Sequence, residues 1–354
     1  MSKNKKILVA MSGGVDSSVA AMILKNEGFN TAGVTMCFES RIDRTNGIRC
    51  LGADAVNNAR KTCGYLGIPH YFIDYSRQFK EKIIKKFIGS YIKGKTPNPC
   101  IDCNRHLKFE LLLNYAKNLG FDYFATGHYA KILENSSGFY LARAKDRQKD
   151  QSYFLYVIKR SELGFIKLPL GDYDKNTVRK IALEAGLPAA HKEESQDICF
   201  LDNDYRDFLL SLKPGCRNPG DIIDKEGNVL GRHRGVAFYT IGQRKGLGIS
   251  SSEPLYVTDM DAGRNLIIAG SRNELKSRGL VAGDLNLLVD SMPSEATVKI
   301  RYQSAEVPCN IRQYKKSSKV LFDEAQEAVT PGQSAVFYKG DKILGGGIIK
   351  RRIK

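Results

Sequence analysis

The run Ile7-Leu8-Val9-Ala10-Met11 leads directly into Ser12-Gly13-Gly14-Val15-Asp16-Ser17-Ser18, and this pair of segments constrains the fold more than any other part of the chain. An apolar run without alternation reads as a strand buried on both faces, as in a parallel sheet covered by helices. Residues 18–25 follow with helix formers and apolar positions at Val19, Met22 and Leu24. Strand, tight turn and helix is therefore the implied order. Two adjacent glycines let a ligand approach the backbone closely. The hydroxyls of Ser12, Ser17 and Ser18, with the free N–H groups of the starting helix, point donors at an anion. A pyrophosphate fits such a cradle. The lysine of G-x-x-x-x-G-K-[ST] is missing, so this is not the usual nucleotide-hydrolase loop. Asp16, acidic beside an acidic ligand, predicts a magnesium ion between the two.

Further along, Thr31 to Met36 predicts a second strand whose end meets an adenine ring, with Met36 as the contact. Residues 39–53 read as a surface loop, 53–66 as a helix stopped by Gly67, and His70 to Asp74 as a third strand. This alternation predicts an α/β fold with a doubly wound parallel sheet. Over 79–95 the apolar residues keep helical spacing while Lys80, Lys82, Lys85 and Lys86 mark the other face as solvated or RNA-facing. Then comes Thr96-Pro97-Asn98-Pro99-Cys100-Ile101-Asp102-Cys103-Asn104. Asn104 reads as the cap of a helix over about 104–119, which sets Cys103 at a helix N-terminus beside Arg105 and Lys108 and predicts a depressed thiol pKa. Phe121 to Ala125 is another strand. Thr126-Gly127-His128-Tyr129 follows at its C-terminal edge, where His128 reads as base, phosphate donor or structural imidazole. A helix is predicted over 174–185. Cys199 sits in an apolar, strand-like context that by itself suits a core residue. Beyond about residue 210 come short glycine-punctuated strands. Segments 297–302, 320–322, 334–338 and 342–349 suit a small β-barrel, and the basic end 350–354 suits phosphate.

At 354 residues the chain accommodates two or three domains. We expect them at 1–208, 209–275 and 276–354. A formal charge of +17, spread over the whole length, points to a polyanionic partner such as nucleic acid. No run approaches the ~18 apolar residues of a membrane span, so a cytosolic protein without a membrane partner is expected. In that compartment the eight cysteines read as reduced thiols, metal ligands or catalytic groups instead of structural disulfides.

S-G-G-V-D-S-S is similar to the PP-loop of ATP pyrophosphatases, which split ATP to AMP and pyrophosphate. Taken with T-P-N-P-x-x-x-C-N, A-T-G-H-Y, K-D-Q-S-Y-F-L, I-C-F, Y-T-I-G-Q-R-K-G-L-G-I, R-Y and T-P-G-Q-S-A-V-F, it makes the whole chain resemble the bacterial tRNA-specific 2-thiouridylases. The resemblance implies ATP and Mg²⁺ on Ala10, Met11, Ser12, Gly13, Gly14, Val15, Asp16 and Ser17, with Met36 and Gly127 against the nucleoside. It implies adenylation of the C2 oxygen of the wobble uridine in lysine, glutamate and glutamine tRNAs. Cys199 would carry a persulfide and Cys103 would be the nucleophile that frees its sulfur, leaving a Cys103–Cys199 disulfide. Asn98, Pro99 and Cys100 would border the target base. His128, Lys149, Asp150, Gln151, Arg301, Tyr302 and Gln333 would contact tRNA. The partners implied are tRNA and a cysteine desulfurase or sulfur-relay protein as donor, with the enzyme a monomer when free.

Two departures stand out. Cys100 occupies a position where many members carry aspartate, so Cys100, Cys103 and Cys199 form a candidate ligand set for an iron-sulfur cluster. Segment 40–54 lacks the acidic pattern expected there, which leaves open its part in docking a sulfur donor. Rival readings are another AMP-forming ligase of the same loop class and a non-catalytic tRNA-binding protein.

Overall fold

The computed structural model describes residues 4–43, 47–51, 53–192, 198–201 and 204–354, with the backbone alone over 39–54. Two compact units divide the chain. The first gathers Met1–Ile83, Cys100–Phe200 and Gly340–Ile343, the second Ile84–Pro99, Leu201–Lys339 and Leu344–Lys354.

In the first unit the apolar run forms β1 (Lys6–Ala10), whose Ile7, Leu8 and Val9 are fully buried. Around it stand β2 (Asn30–Asp43), β3 (Gly47–Leu51), β4 (His70–Asp74), β5 (Tyr123–Thr126), the hairpin β6 (Ala130–Asn135) and β7 (Gly138–Arg143), and the short β8 (Ile166–Lys167). The main sheet runs β4-β2-β1-β5-β8, every pairing parallel. Helices α1 (Val15–Asn26) and α2 (Ala53–Leu66) cover it. Val19, Ala20 and Leu24 of α1 join Val178 and Ala182 of the helix Lys175–Glu184 in one core with Ile7 and Val9. From β1 the chain winds one way through β2 to β4 and the other way through β5 to β8. The sheet therefore switches direction between β1 and β5, and the crevice outside their C-terminal ends is where such sheets hold ligands.

Local readings need correction at three places. Within the expected loop 39–53, the described residues 39–43 and 47–51 are strand: β2 continues to Asp43, and β3 returns antiparallel beside it with Phe38 opposite Leu51. The charges Glu39, Arg41, Asp43 and Arg49 hide this short arm from a reading by hydrophobic pattern. Asn104 is not a helix cap either, because the helix already begins at Pro99, a residue pre-shaped for a first turn. It continues through π-type winding at Asn104–Leu112 to a last turn at Leu113–Asn118. Cys199 lies in a turn, not a strand, and Glu194–Asp197 before it are outside the described residues.

In the second unit β9 (Gly220–Ile223), β10 (Val229–His233), β11 (Tyr256–Asp261) and β12 (Leu266–Gly270) pair in the order β10-β9-β12-β11. They enclose Ile222, Val257, Ile267, Phe238 and Tyr239. Six further strands follow, β13 (Lys276–Leu287), β14 (Glu295–Lys299), β15 (Val307–Gln313), β16 (Ser317–Glu327), β17 (Ser334–Lys339) and β18 (Lys342–Ile353). They pair in the order β13-β16-β15-β14-β17-β18, and β18 returns to β13, closing a barrel without free edges. Val307, Cys309 and Ile311 alternate inward along β15, as a half-buried strand requires. The basic end is engaged within this unit: Arg352 reaches Asp259 at 3.1 Å, Lys354 the same carboxylate at 3.6 Å, and Lys350 pairs with Asp284. Lys350 and Lys354 nonetheless keep much of their side chains exposed, and Arg351 is exposed. Among the described residues no helix is long and apolar enough to cross a membrane.

Candidate active site

The glycine-rich turn after β1 takes the shape its sequence demands. Gly13 has φ +69°, and a Cβ there would lie 2.2 Å from the carbonyl oxygen of Ala55. Ser17 Oγ lies 3.2 Å from both the N–H and the Oγ of Ser12, and the Ser17 and Ser18 hydroxyls each donate to the Gly14 carbonyl. Ala10 ends β1, Met11 and Val15 are buried, and Met36 in β2 is half-buried beside the strand that carries the loop. Gly127, after β5, packs on the start of α1 so closely that a Cβ would lie 2.9 Å from both the Asp16 carbonyl carbon and the Ser17 nitrogen. The residues expected at the nucleotide thus lie on the adjacent parallel strands β1, β2 and β5 and on the loops that follow β1 and β5.

Asp16 does not have the surroundings expected of a magnesium ligand. Its two carboxylate oxygens accept from Lys175 Nζ at 2.7 and 2.8 Å, and Oδ1 also accepts from Tyr129 Oη at 2.8 Å. Lys175 is the first residue of its helix. Asp174 caps that helix through the Thr177 N–H, and Asp146 Oδ2 accepts the Lys175 N–H at 3.0 Å. Tyr129 is fixed in turn by Gln151, whose Oε1 accepts the Tyr129 N–H at 3.0 Å and whose own N–H donates to the Tyr129 carbonyl at 2.8 Å. Lys192 Nζ reaches the Gly13 carbonyl at 3.3 Å. Sequence reading missed Lys175. The only signal was indirect, a loop without a lysine of its own, and nothing in the sequence selects which of the chain's lysines the fold brings to Asp16.

The three candidate thiols share one electrostatic environment. Cys100 and Cys199 reach the surface and Cys103 is half-buried, yet the protein packed around these thiols desolvates them: Cys199 is pushed up to about 12, reinforced by Cys103 and Cys100 and opposed by Lys108. Cys100 and Cys103 are also raised, again by burial first, with Lys108 opposing. The expected depression at Cys103 is therefore corrected: the thiol lies inside the helix instead of at its N-terminus, and desolvation outweighs the nearby ammonium. Lys108 stands five residues from Cys103, a spacing that π-type winding brings toward one face. Lys108 Nζ lies 3.3 Å from His128 Nε2, and His128 Nδ1 lies 2.7 Å from Thr126 Oγ1. An ammonium can only donate, so Nε2 accepts and Nδ1 carries the proton. Burial, with Lys108 adding to it, holds this imidazole well below its usual pKa. His128 is thereby neutral, tied to both the strand-end loop and the lysine beside the thiols. Cys63, Cys216 and Cys309 are free, but Cys37 is disulfide-bonded, which corrects the expectation that none of the cysteines forms a structural disulfide. Among the described residues no group of three or more His, Cys, Asp or Glu side chains is arranged to hold a metal ion.

Of the residues expected at tRNA, Asp150 is buried: its carboxylate accepts from the Ala144 and Ser152 N–H groups and the Ser152 hydroxyl. Lys149 is half-buried, its N–H donating to Asp146. In the second unit Arg301 is exposed and Lys299 lies over the Tyr302 ring. Gln333 donates to the Thr96 carbonyl at 3.0 Å, Thr96 N–H donates to the Pro331 carbonyl, and Thr96 Oγ1 meets Thr240 Oγ1 at 3.1 Å. Three distant motifs, T-P-N-P, Y-T-I-G-Q and T-P-G-Q, thus meet at one point that holds the approach to Asn98. Asn98 and Pro99 group with this second unit, and Cys100 with the first.

Comparison with known proteins matches residues 5–203 to a tRNA methyl transferase HUP domain, 206–271 to a tRNA methyl transferase PRC-barrel domain and 277–349 to an aminomethyltransferase β-barrel domain. The tRNA-specific 2-thiouridylase MnmA 1 of Syntrophus aciditrophicus is 50% identical over 99% of this chain and 94% of its own. The tRNA-specific 2-thiouridylase MnmA of Clostridium botulinum is 46% identical over 98% of both. Among solved structures, a U34-tRNA thiolase of Methanococcus maripaludis aligns with 18% identity and a TM-score of 0.35, covering 61% of this chain and 67% of that one.

Proposed function

The chain belongs to the tRNA-specific 2-thiouridylase family, and from that premise we propose that it makes 2-thiouridine in tRNA by activating the base with ATP and delivering sulfur through Cys199 and Cys103. The loop Ser12–Ser17 binds the ATP phosphates, while Met36 and Gly127 border the nucleoside. Magnesium enters as the counter-ion of the triphosphate; Asp16, held by Lys175 and Tyr129, does not fit as its ligand, and no step is assigned to the metal. The uridine C2 oxygen attacks the α-phosphorus, pyrophosphate leaves, and C2 becomes electrophilic with AMP as its leaving group. The terminal sulfur of a Cys199 persulfide attacks C2 and AMP departs. Cys103 then attacks Cys199 Sγ. The sulfur stays on C2, and the two cysteines end as a disulfide, which accounts for both electrons.

The observation that carries this reading is the Lys108 link. One ammonium touches His128, on the loop after β5 that flanks the phosphate cradle, and acts on all three thiols. Adenylation and sulfur delivery thereby fall within a single unit. His128 and Lys149 are assigned to tRNA from this unit, and Arg301 and Tyr302 from the other. The persulfide route needs only the two thiols of Cys103 and Cys199 and no cluster on Cys100, Cys103 and Cys199.

The test incubates the protein with unmodified tRNA, labelled ATP and a persulfide donor. AMP and 2-thiouridine are expected in equal amounts, with thiolation lost in Cys199→Ser and in Cys103→Ser and retained in Cys100→Asp. Release of ADP, or thiolation by the double serine variant, refutes the reading.

A further inference from the structure

We propose that Lys175, far from the phosphate loop in sequence, is the cation of the nucleotide site, and that Asp16 serves to hold this lysine in place instead of binding metal. The inference rests on the reading of Ser12–Ser17 as the ATP loop and adds the residue which that loop lacks.

The loop offers hydroxyls and N–H groups but no cation of its own, and Asp16 adds a negative charge in the first turn of α1, where an anion should be received. Left alone, that carboxylate would repel a polyphosphate. Lys175 cancels it with a two-point contact at 2.7 and 2.8 Å. Neighbouring contacts hold this pair: Tyr129 Oη also donates to Asp16 Oδ1, the Lys175 ammonium sits 5.6 Å from the Tyr129 ring centre, and Asp146 anchors the Lys175 backbone. The lysine is only 8% exposed. A buried long-chain cation held from its backbone and its tip has little rotamer freedom left to lose, which suits a group that must meet phosphate charge without rearranging. Tyr129 in turn is braced by Gln151, so A-T-G-H-Y and K-D-Q act together on the position of one ammonium.

A metal-ligand role for Asp16 and a lysine-holding role predict different behaviour. The experiment measures ATP binding to the intact protein without tRNA, then tRNA-dependent pyrophosphate release across a magnesium titration. It uses Lys175→Met, Lys175→Arg, Asp16→Asn and the double variant. We expect Lys175→Met to raise the ATP dissociation constant by roughly tenfold or more, as loss of a charge-assisted phosphate contact does. Lys175→Arg should recover part of that loss. The double variant should bind ATP no worse than Lys175→Met, because the two residues act as one unit. The magnesium midpoint should stay unchanged in Asp16→Asn. Wild-type affinity in a folded Lys175→Met protein, additive losses in the double variant, or a shifted magnesium midpoint in Asp16→Asn would each overturn the inference. Absence of ATP binding by the wild-type protein would instead refute the loop assignment beneath it.

Discussion

Asp150 stands inside the K-D-Q stretch assigned to tRNA, yet its surroundings predict that replacing it unfolds the protein before it touches affinity. Its Oδ1 accepts the Ala144 N–H at 3.0 Å and the Ser152 N–H at 3.3 Å, while Oδ2 accepts the Ser152 hydroxyl at 2.7 Å and lies 3.9 Å from Arg143 Nη1. Arg143 is itself 9% exposed. Asp150→Ala therefore strips the acceptor from three donors and leaves a buried guanidinium without this counter-charge. Hydrogen bonds to a charged group contribute about 1.5–3 kcal/mol each, and removing one member of a buried ion pair costs about 3–5 kcal/mol. Because these groups form one network the terms do not add, and about 4 kcal/mol is the expected loss. For a domain of this size that corresponds to a fall in Tm of roughly 8–16 °C. Asp150→Asn keeps the shape but turns an NH₂ toward at least one of those donors, so it should still lose about half as much. Thermal unfolding followed by circular dichroism, with tRNA binding measured below the transition, separates the cases. A Tm within about 2 °C of wild type, with tRNA affinity lost, would show that the carboxylate faces RNA and would refute the reasoning.

Two other outcomes follow from the perturbed titrations. With the Cys199 thiol pushed up to about 12, its thiolate fraction at pH 8 is ~10⁻⁴. Alkylation of that thiol by iodoacetamide should be slow at pH 8 and should rise about tenfold per pH unit, and Lys108→Met should slow it further; a rapid, pH-independent reaction would contradict the environment described. His128 has its pKa held well below the usual value in the folded protein, chiefly by burial. The unfolded chain then binds more protons on acidification, so stability is complete above about pH 6.5 and falls as the pH drops below it. Denaturant midpoints measured from pH 7.5 down to 5 should show that slope in the wild type and a flatter one in His128→Phe; equal slopes would dismiss the histidine as its source.

Much of the first unit was legible because its signals are local. An apolar run before S-G-G-V-D-S-S admits few shapes other than buried strand, tight turn and helix. His70 to Asp74 and the helix stopped by Gly67 were likewise readable from period and punctuation. The hairpin β6–β7 and the arm β2–β3 are not legible in the sequence, because two-stranded ribbons show too little periodicity to stand out among charges.

What the sequence by itself determined is the set of chemical groups: a phosphate cradle without its own lysine, paired thiols, and basic segments along the whole length. Only the tertiary structure decided which groups act on one another. Lys175 meets Asp16 across 159 residues, and Lys108 on its helix meets His128 on the loop after β5. Burial reverses the pKa shift that sequence neighbours suggested for Cys103. The physical reason is that charge and desolvation act through space, over a few ångströms, and the chain's order carries almost no information about which distant residues the sheet and its covering helices bring within that range.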